Sequence, residues 1–205
     1  MTVYLASNNP HKARELQALA GVGRRPFALR TAKDIGGMPD VAEDTGTFEG
    51  NAKVKARALH RQAPQGCGVL SDDSGLCVDA LGGLPGVESA YFAGKAGNPK
   101  ANLDLLIERL KGVSPARRTA HFVCVLVFID PTGREFLFEG RCDGTLLERP
   151  EGSQGFGYDP LFVPAGHKAT FSAMAPETKN SLSARGRAWT AFTSWFKATC
   201  ADQLS

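Results

Sequence analysis

The sequence has no CxxC pair and no cluster of Cys with His, and its five cysteines, Cys67, Cys77, Cys124, Cys142 and Cys200, are odd in number. That excludes a disulfide framework and a zinc site as organising devices, and leaves buried or idle thiols in a reducing compartment. No apolar run approaches the ~18 residues of a membrane span, and Met1 leads straight into the strand-like TVYLA without a basic leader. The expectation is a cytoplasmic protein, neither secreted nor inserted in a membrane. Charge of one sign is also missing. The 24 basic and 21 acidic residues leave a formal +3, too little for a nucleic-acid coat or a polybasic membrane patch. Any anion-binding site must then be local. Internal repeats, low-complexity tracts and linker-like segments are absent as well. The 205 residues, 42% of them hydrophobic, suffice for one substantial core or two lobes sharing a sheet, and residues 1–205 are read as one domain.

What is present is an alternation of strands and helices with clear punctuation. TVYLA (2–6) reads as a strand, and Ser7-Asn8-Asn9-Pro10 puts an Asn at a helix N-cap with Pro at the first helical position, for a helix to about Leu19 ended by Gly21. A second helix begins near Thr47 (TFEGNAKVKARALHRQA). Asn98-Pro99 opens a third, whose Leu103, Leu106, Ile107 and Leu110 follow helical spacing to Gly112. CGVLS and LCVDAL are two short strand candidates around a turn at Asp72-Asp73-Ser74-Gly75. HFVCVLVFI (121–129) is apolar on both faces, as in a central strand, and Asp130-Pro131-Thr132-Gly133 turns it into REFLFEG. Ser183 is the expected N-cap of a last helix burying Ala188, Phe192, Trp195 and Phe196. The mixture indicates an α/β fold.

Four segments carry chemistry. In Ser7-Asn8-Asn9-Pro10-His11-Lys12 a cation sits in the first turn of a helix, where free backbone N–H groups attract phosphate; an ordinary capped helix start reads the same way. Lys55 falls within roughly 20° of the stripe formed by Phe48, Ala52 and Leu59, whereas Lys53, Arg57 and Arg61 lie opposite. An inward lysine either snorkels to water or meets an anion. Replacing it by Met is expected to cost activity and to raise thermal stability, by removing an inward ammonium. Glu43-Asp44-Thr45-Gly46 and Asp72-Asp73-Ser74-Gly75 are acidic turns, either solvated or brought together on a magnesium ion, which takes one or two carboxylates plus waters and phosphate oxygens. Gly155-Phe156-Gly157-Tyr158-Asp159-Pro160 offers aromatic rings to stack on a base or to cover the core.

Taken in order, SNNPHK, EDTGTFEGNAKVKA, SDDSGL, LGGLPGVESA, GFGYDPLF and the late Lys179 with Ser183-Ala184-Arg185 resemble the inosine triphosphate pyrophosphatase family from the first strand to the last helix. The resemblance implies an elongated mixed α/β sheet with flanking helices, two lobes enclosing an active-site cleft, and a homodimer without nucleic-acid or membrane partners. The implied activity is hydrolysis of deaminated purine nucleoside triphosphates (ITP, dITP, XTP) to the monophosphate and pyrophosphate, which cleanses the nucleotide pool. Mg²⁺ is the implied cofactor, with Mn²⁺ as a substitute. Asp73 matches the catalytic acid that binds metal and serves as general base, with Lys55 and Lys12 completing the catalytic set; Asp44 and Asp72 are the further metal candidates. Ser7, Asn8, Asn9, Pro10, His11, Lys12, Lys55 and Ser74 match phosphate positions. Phe156, Gly157, Tyr158, Asp159, Lys179, Ala184 and Arg185 match positions around base and sugar.

The chain departs from the family pattern twice: Ser-His-Arg is common where Ser183-Ala184-Arg185 stands, and Ser-Ala-Arg where Ser89-Ala90-Tyr91 stands. Ala184 removes an imidazole from the base end, and Tyr91 bears on local packing or the dimer contact. Two other readings share parts of the pattern: a pyrophosphatase of the same architecture acting on other modified nucleotides, pyrimidines included, and a nucleotide-binding protein without turnover. Intact Lys12, Lys55, Asp72 and Asp73 oppose the latter.

Overall fold

The computed structural model describes residues 1–22, 27–94 and 97–202, with side chains as far as Thr199. Strand β1 (Thr2–Ala6) leads into helix α1 (Pro10–Gly21), followed by β2 (Ala28–Thr31), α2 (Phe48–His60), β3 (Gly68–Val78), α3 (Pro99–Arg109), β4 (Thr119–Ile129), β5 (Glu135–Leu146), β6 (Phe162–Pro164), α4 (Pro176–Leu182) and α5 (Ala184–Asp202). The six strands form one mixed sheet in the order β2-β1-β3-β4-β5-β6. β1 pairs parallel with β2 and with β3, in register Val3 to Gly68 and Ala6 to Ser71, and β5 pairs antiparallel with β6.

The helix starts follow their caps. Asn9, Thr47 and Asn98 are extended residues whose side-chain oxygens accept the first orphan N–H groups of α1, α2 and α3. Ser183 is extended and directly precedes α5. Leu106 and Leu110 are fully buried, as the spacing of α3 requires. On α5 the expected inward residues Ala188, Phe192 and Phe196 are buried, and Trp189 joins them.

One expectation fails. Asp72-Asp73-Ser74-Gly75 is no turn, and β3 runs straight through it for 11 residues. Turn propensity describes acids that stay in water, whereas here Asp72 and Asp73 are buried against cations.

The chain divides into two compact units, and β3, β4 and β5 contribute residues to both. The first comprises 1–73, 124–140 and the chain from Arg185 on. Its core is aromatic: Phe27, Phe128, Phe192 and Phe196 pack with ring centroids 4.8–5.7 Å apart, and Trp195 lies 4.3 Å from Phe136. The second comprises Ser74–Val123 and Arg141–Ala184. It packs Phe122, Phe162 and Phe171 together and buries Arg118, whose guanidinium donates to the carbonyls of Leu110 and Val113 just past α3 and of Leu147 just past β5.

Cys124 and Cys142 are buried, and Cys67 and Cys77 half-buried, all four as free thiols. The side chain of Cys200 lies outside the described residues. Among the described residues no helix is long and apolar enough to cross a membrane.

Candidate active site

In the first unit, β1 ends at a turn that caps itself. Ser7 Oγ accepts the Asn9 N–H at 3.1 Å, and Asn9 Oδ1 accepts the N–H groups of His11 and Lys12 at 2.9 and 3.2 Å. Pro10 has no N–H. The N–H groups expected to attract phosphate are thus already used by the cap. Asn8 is exposed and His11 Nδ1 meets Arg14, so the charge this turn offers is the Lys12 ammonium.

Successive residues of a strand point to opposite faces, and this separates the two aspartates. Ser71 and Asp73 face α2: Ser71 Oγ donates to the Ala52 carbonyl at 2.7 Å, and Asp73 Oδ1 accepts from Lys55 Nζ at 2.7 Å. Lys55 Nζ also donates to Glu43 Oε2 at 2.7 Å, so the two carboxylate oxygens lie within about 5.4 Å of each other. Lys55 does not snorkel. Asp72 faces the other way, where Oδ1 accepts from Lys12 Nζ at 2.7 Å and Oδ2 from Arg185 Nε at 2.8 Å and from the Cys124 thiol at 3.1 Å. Arg185 Nη1 closes on Glu15.

The environments drive the two carboxyls apart. Burial pushes Asp73 above its ordinary value, and the opposing charges of Lys12 and Lys55 do not cancel that push. Its Oδ2 is, among the described residues, the one buried side-chain nitrogen or oxygen without a hydrogen-bond partner. Burial opposes ionisation of Asp72 too, but Arg185 and Lys12 together hold it well below the usual carboxylate range. Lys55 is lowered by burial and raised more by Asp73 and Glu43, so it stays charged. Burial holds the Cys124 thiol well up and protonated.

These geometries decide which acids suit a metal. Asp73 keeps an unpaired oxygen, with Glu43 close by, and an ion taking one or two carboxylates plus waters and phosphate oxygens fits that pair. The expected trio of Asp44, Asp72 and Asp73 is not assembled. Asp72 lies on the opposite face with both oxygens taken, and Asp44 is exposed beside Glu43. Among the described residues no group of three His, Cys, Asp or Glu side chains could hold an ion unaided. Ser74 is half-buried on β3.

The second unit holds the aromatic loop. Asp159 Oδ2 accepts the Phe156 N–H at 2.8 Å and Lys179 Nζ at 2.5 Å, and that ammonium stands 5.0 Å from the Phe156 ring centre. Gly155 has φ +75°, and a Cβ there would lie 2.3 Å from Asp159 Oδ2, so glycine permits this closure. Gly157 has φ +62°. The two rings differ. Tyr158 is buried, its hydroxyl donates to the Ser89 carbonyl at 2.9 Å, and burial pushes its phenol up, so it serves the core. Phe156 is half-exposed and can stack. Ala184, the first residue of α5, is buried.

Arg185, expected beside the base, belongs instead to the Asp72 cluster of the first unit. Glu15 and Cys124 were not anticipated, and in the acidic turn read as a magnesium candidate it is Glu43, rather than the Asp44 singled out there, that reaches Lys55. Glu15 could have been found three residues beyond Lys12 on one helical face. Glu43 is one residue from Asp44, a distinction that spacing does not resolve, and nothing local marks Cys124.

Comparison with known proteins places the chain in a family. The model of the Ham1 family matches residues 3–195. A dITP/XTP pyrophosphatase of Opitutus terrae is 49% identical over 199 residues, covering 95% of this chain and 98% of that protein. Among solved structures, the Staphylococcus aureus Ham1 protein superposes with a TM-score of 0.84 at 30% identity, covering 97% and 100% of the two chains. A nucleoside-triphosphatase / dITP/XTP pyrophosphatase from Mycobacterium abscessus gives 0.73 at 40% identity, covering 94% and 98%. With a family model spanning nearly its whole length and relatives aligned end to end, this chain belongs to the Ham1 family.

Proposed function

We propose that the protein hydrolyses ITP, dITP and XTP to the monophosphate and pyrophosphate, clearing deaminated purines from the nucleotide pool. The observation that carries the chemistry is Asp73, a buried carboxyl with one oxygen on Lys55 and the other unpaired. A carboxyl raised by burial is a better base than an ordinary one. The Asp73 carboxylate takes the proton as a water oxygen bonds to the α-phosphorus, and the bond from that phosphorus to the bridging oxygen breaks to release pyrophosphate. Lys55 faces the charge that develops on the leaving group, and Lys12 holds the distal phosphates in ground state and transition state alike.

Asp73 and Glu43 would hold a divalent ion, Mg²⁺ in our reading, which supplies charge neutralisation on phosphate oxygens. In the second unit, Phe156 supplies a ring for stacking. Lys179, whose ammonium only donates, favours a 6-keto acceptor over the adenine amino group. Arg185 supports Asp72 and is not assigned to the base. We further read the protein as a cytoplasmic homodimer with no nucleic-acid or membrane partner, which sedimentation of the purified chain tests for the dimer.

The function is tested by phosphorus NMR of reactions with ITP, XTP, dITP, ATP and GTP. Pyrophosphate and a monophosphate from the deaminated purines are expected. Orthophosphate with a diphosphate product, or ATP as the better substrate, refutes the proposal.

A further inference from the structure

The Asp72 cluster forms a closed circuit. Lys12 and Glu15 lie three residues apart on one face of α1. Lys12 reaches Asp72 on β3, Asp72 holds Arg185 in the first turn of α5, and Arg185 returns to Glu15. Every member belongs to the first unit. The circuit is dry at its centre, the Asp72 side chain being 0% exposed and that of Arg185 9%. Asp73 takes no part in it.

The geometry points to Asp72 and Arg185 as positioning residues that lock the first turn of α1 against β3 and α5 and so set where the Lys12 ammonium stands. This rests on reading the chain as a triphosphate hydrolase, because Lys12 is the group being placed. An ammonium has three donors. One is spent on Asp72, and the Lys12 side chain, 14% exposed, keeps access to solvent for the others. Arg185 has the opposite character, with Nε and Nη2 on Asp72 and Nη1 on Glu15. Its planar fork fixes the angle between these partners as a lysine could not. Cys124 supports the circuit from β4 by donating to Asp72 Oδ2. Removing one member of such a buried group leaves a charge without its partner, so the survivors move. Asp72 thus acts on substrate through Lys12 and touches neither phosphate nor metal, unlike Asp73.

The test uses Asp72→Asn and Glu15→Gln in the full chain, with steady-state ITP hydrolysis and, separately, Mn²⁺ binding to the nucleotide-free protein by electron paramagnetic resonance. In Asp72→Asn, KM for ITP should rise about 10- to 100-fold, as when a supporting partner is removed from a functional group, with kcat changing less. Glu15→Gln should change KM in the same direction by less. Mn²⁺ affinity should stay within about twofold in both, because the metal-facing carboxylates are elsewhere.

Loss of Mn²⁺ affinity in Asp72→Asn at unchanged KM would make Asp72 a metal ligand and overturn the inference. Wild-type KM in both variants would reduce the circuit to a structural one and overturn it equally. Should Asp72→Asn fail to fold by circular dichroism, Glu15→Gln decides: raised KM at unchanged Mn²⁺ affinity supports the circuit, and unchanged KM refutes it. Wild-type protein that does not turn over ITP would instead sink the hydrolase reading, and the role given to Lys12 with it.

Discussion

Replacing Asp73 by Asn should abolish turnover without weakening the protein, because the features that make this carboxyl reactive also make it costly. The wild-type side chain is 8% exposed, pairs one oxygen with Lys55 and leaves the other without a partner. A buried polar atom left unpaired costs about 1–3 kcal/mol, and here it belongs to a group burial disfavours as an anion. Asparagine keeps an acceptor for Lys55 and puts an equally unpaired nitrogen in place of Oδ2, so any gain comes from removing the disfavoured anion, while Lys55 keeps Glu43. The change in unfolding free energy should therefore lie between zero and a gain of about 2 kcal/mol. For a chain of this size that is a Tm increase of up to about 8 °C.

The pH dependence has a definite sign. Asp73 titrates above its ordinary 3.8 in the folded protein. Between the two values the folded state holds more protons than the unfolded one, so wild-type stability falls as pH rises through that window. The Asn variant lacks this slope. Its Tm advantage should be full once pH exceeds the raised folded value of Asp73 and vanish as pH falls below about 4. Activity behaves oppositely: loss of the general base costs about 10²- to 10⁴-fold, or roughly 3–5 kcal/mol of transition-state stabilisation. Differential scanning calorimetry at several pH values and steady-state ITP hydrolysis read both arms. Turnover within about tenfold of wild type, or a Tm at neutral pH lowered by more than about 4 °C, would refute this reasoning.

Lys55→Met reverses an expectation drawn from the sequence, since the ammonium is no solitary inward charge but is shared by Asp73 and Glu43. Its removal should cost about 3–5 kcal/mol, and a chemical-denaturation midpoint at or above wild type would contradict the pairing. Phe156→Ala should raise KM for ITP roughly five- to hundredfold, from about 1–3 kcal/mol of base stacking, with kcat less affected; an unchanged KM removes the ring from the binding site. Ala184→His should widen the preference for ITP over ATP about two- to tenfold, for one added hydrogen bond of about 0.5–1.5 kcal/mol. Because Ala184 is buried, the same variant should lose about 1–3 kcal/mol to overpacking. An unaltered ratio of kcat/KM values would show that base choice does not depend on this position.

Much of the architecture was legible because its causes are local. Asn9-Pro10, Thr47 and Asn98-Pro99 announce helix starts through caps formed within three residues, and the spacing of Ala188, Phe192 and Phe196 marks the buried face of α5. Lys55 was legible as inward for the same reason, since a helix repeats every 3.6 residues whatever it packs against. β3 was not legible. Asp-Asp-Ser-Gly has the composition of a turn, and only cations arriving from α1, α2 and α5 make it affordable as strand.

The sequence by itself therefore determined the starts of α1, α2 and α3, the buried face of α5, the inward lysine and, through its ordered motifs, the family. Only the tertiary structure decided what each acid meets. The pleat of β3 turns Asp72 and Asp73, adjacent in the chain, to opposite faces, and the partners waiting there are far apart in sequence. One face offers Arg185, Lys12 and a thiol, which satisfy a carboxylate completely; the other offers Lys55 to one oxygen and nothing to the second. Which aspartate is fully paired and which keeps an oxygen without a partner follows from that difference in surroundings, which no local pattern of residues contains.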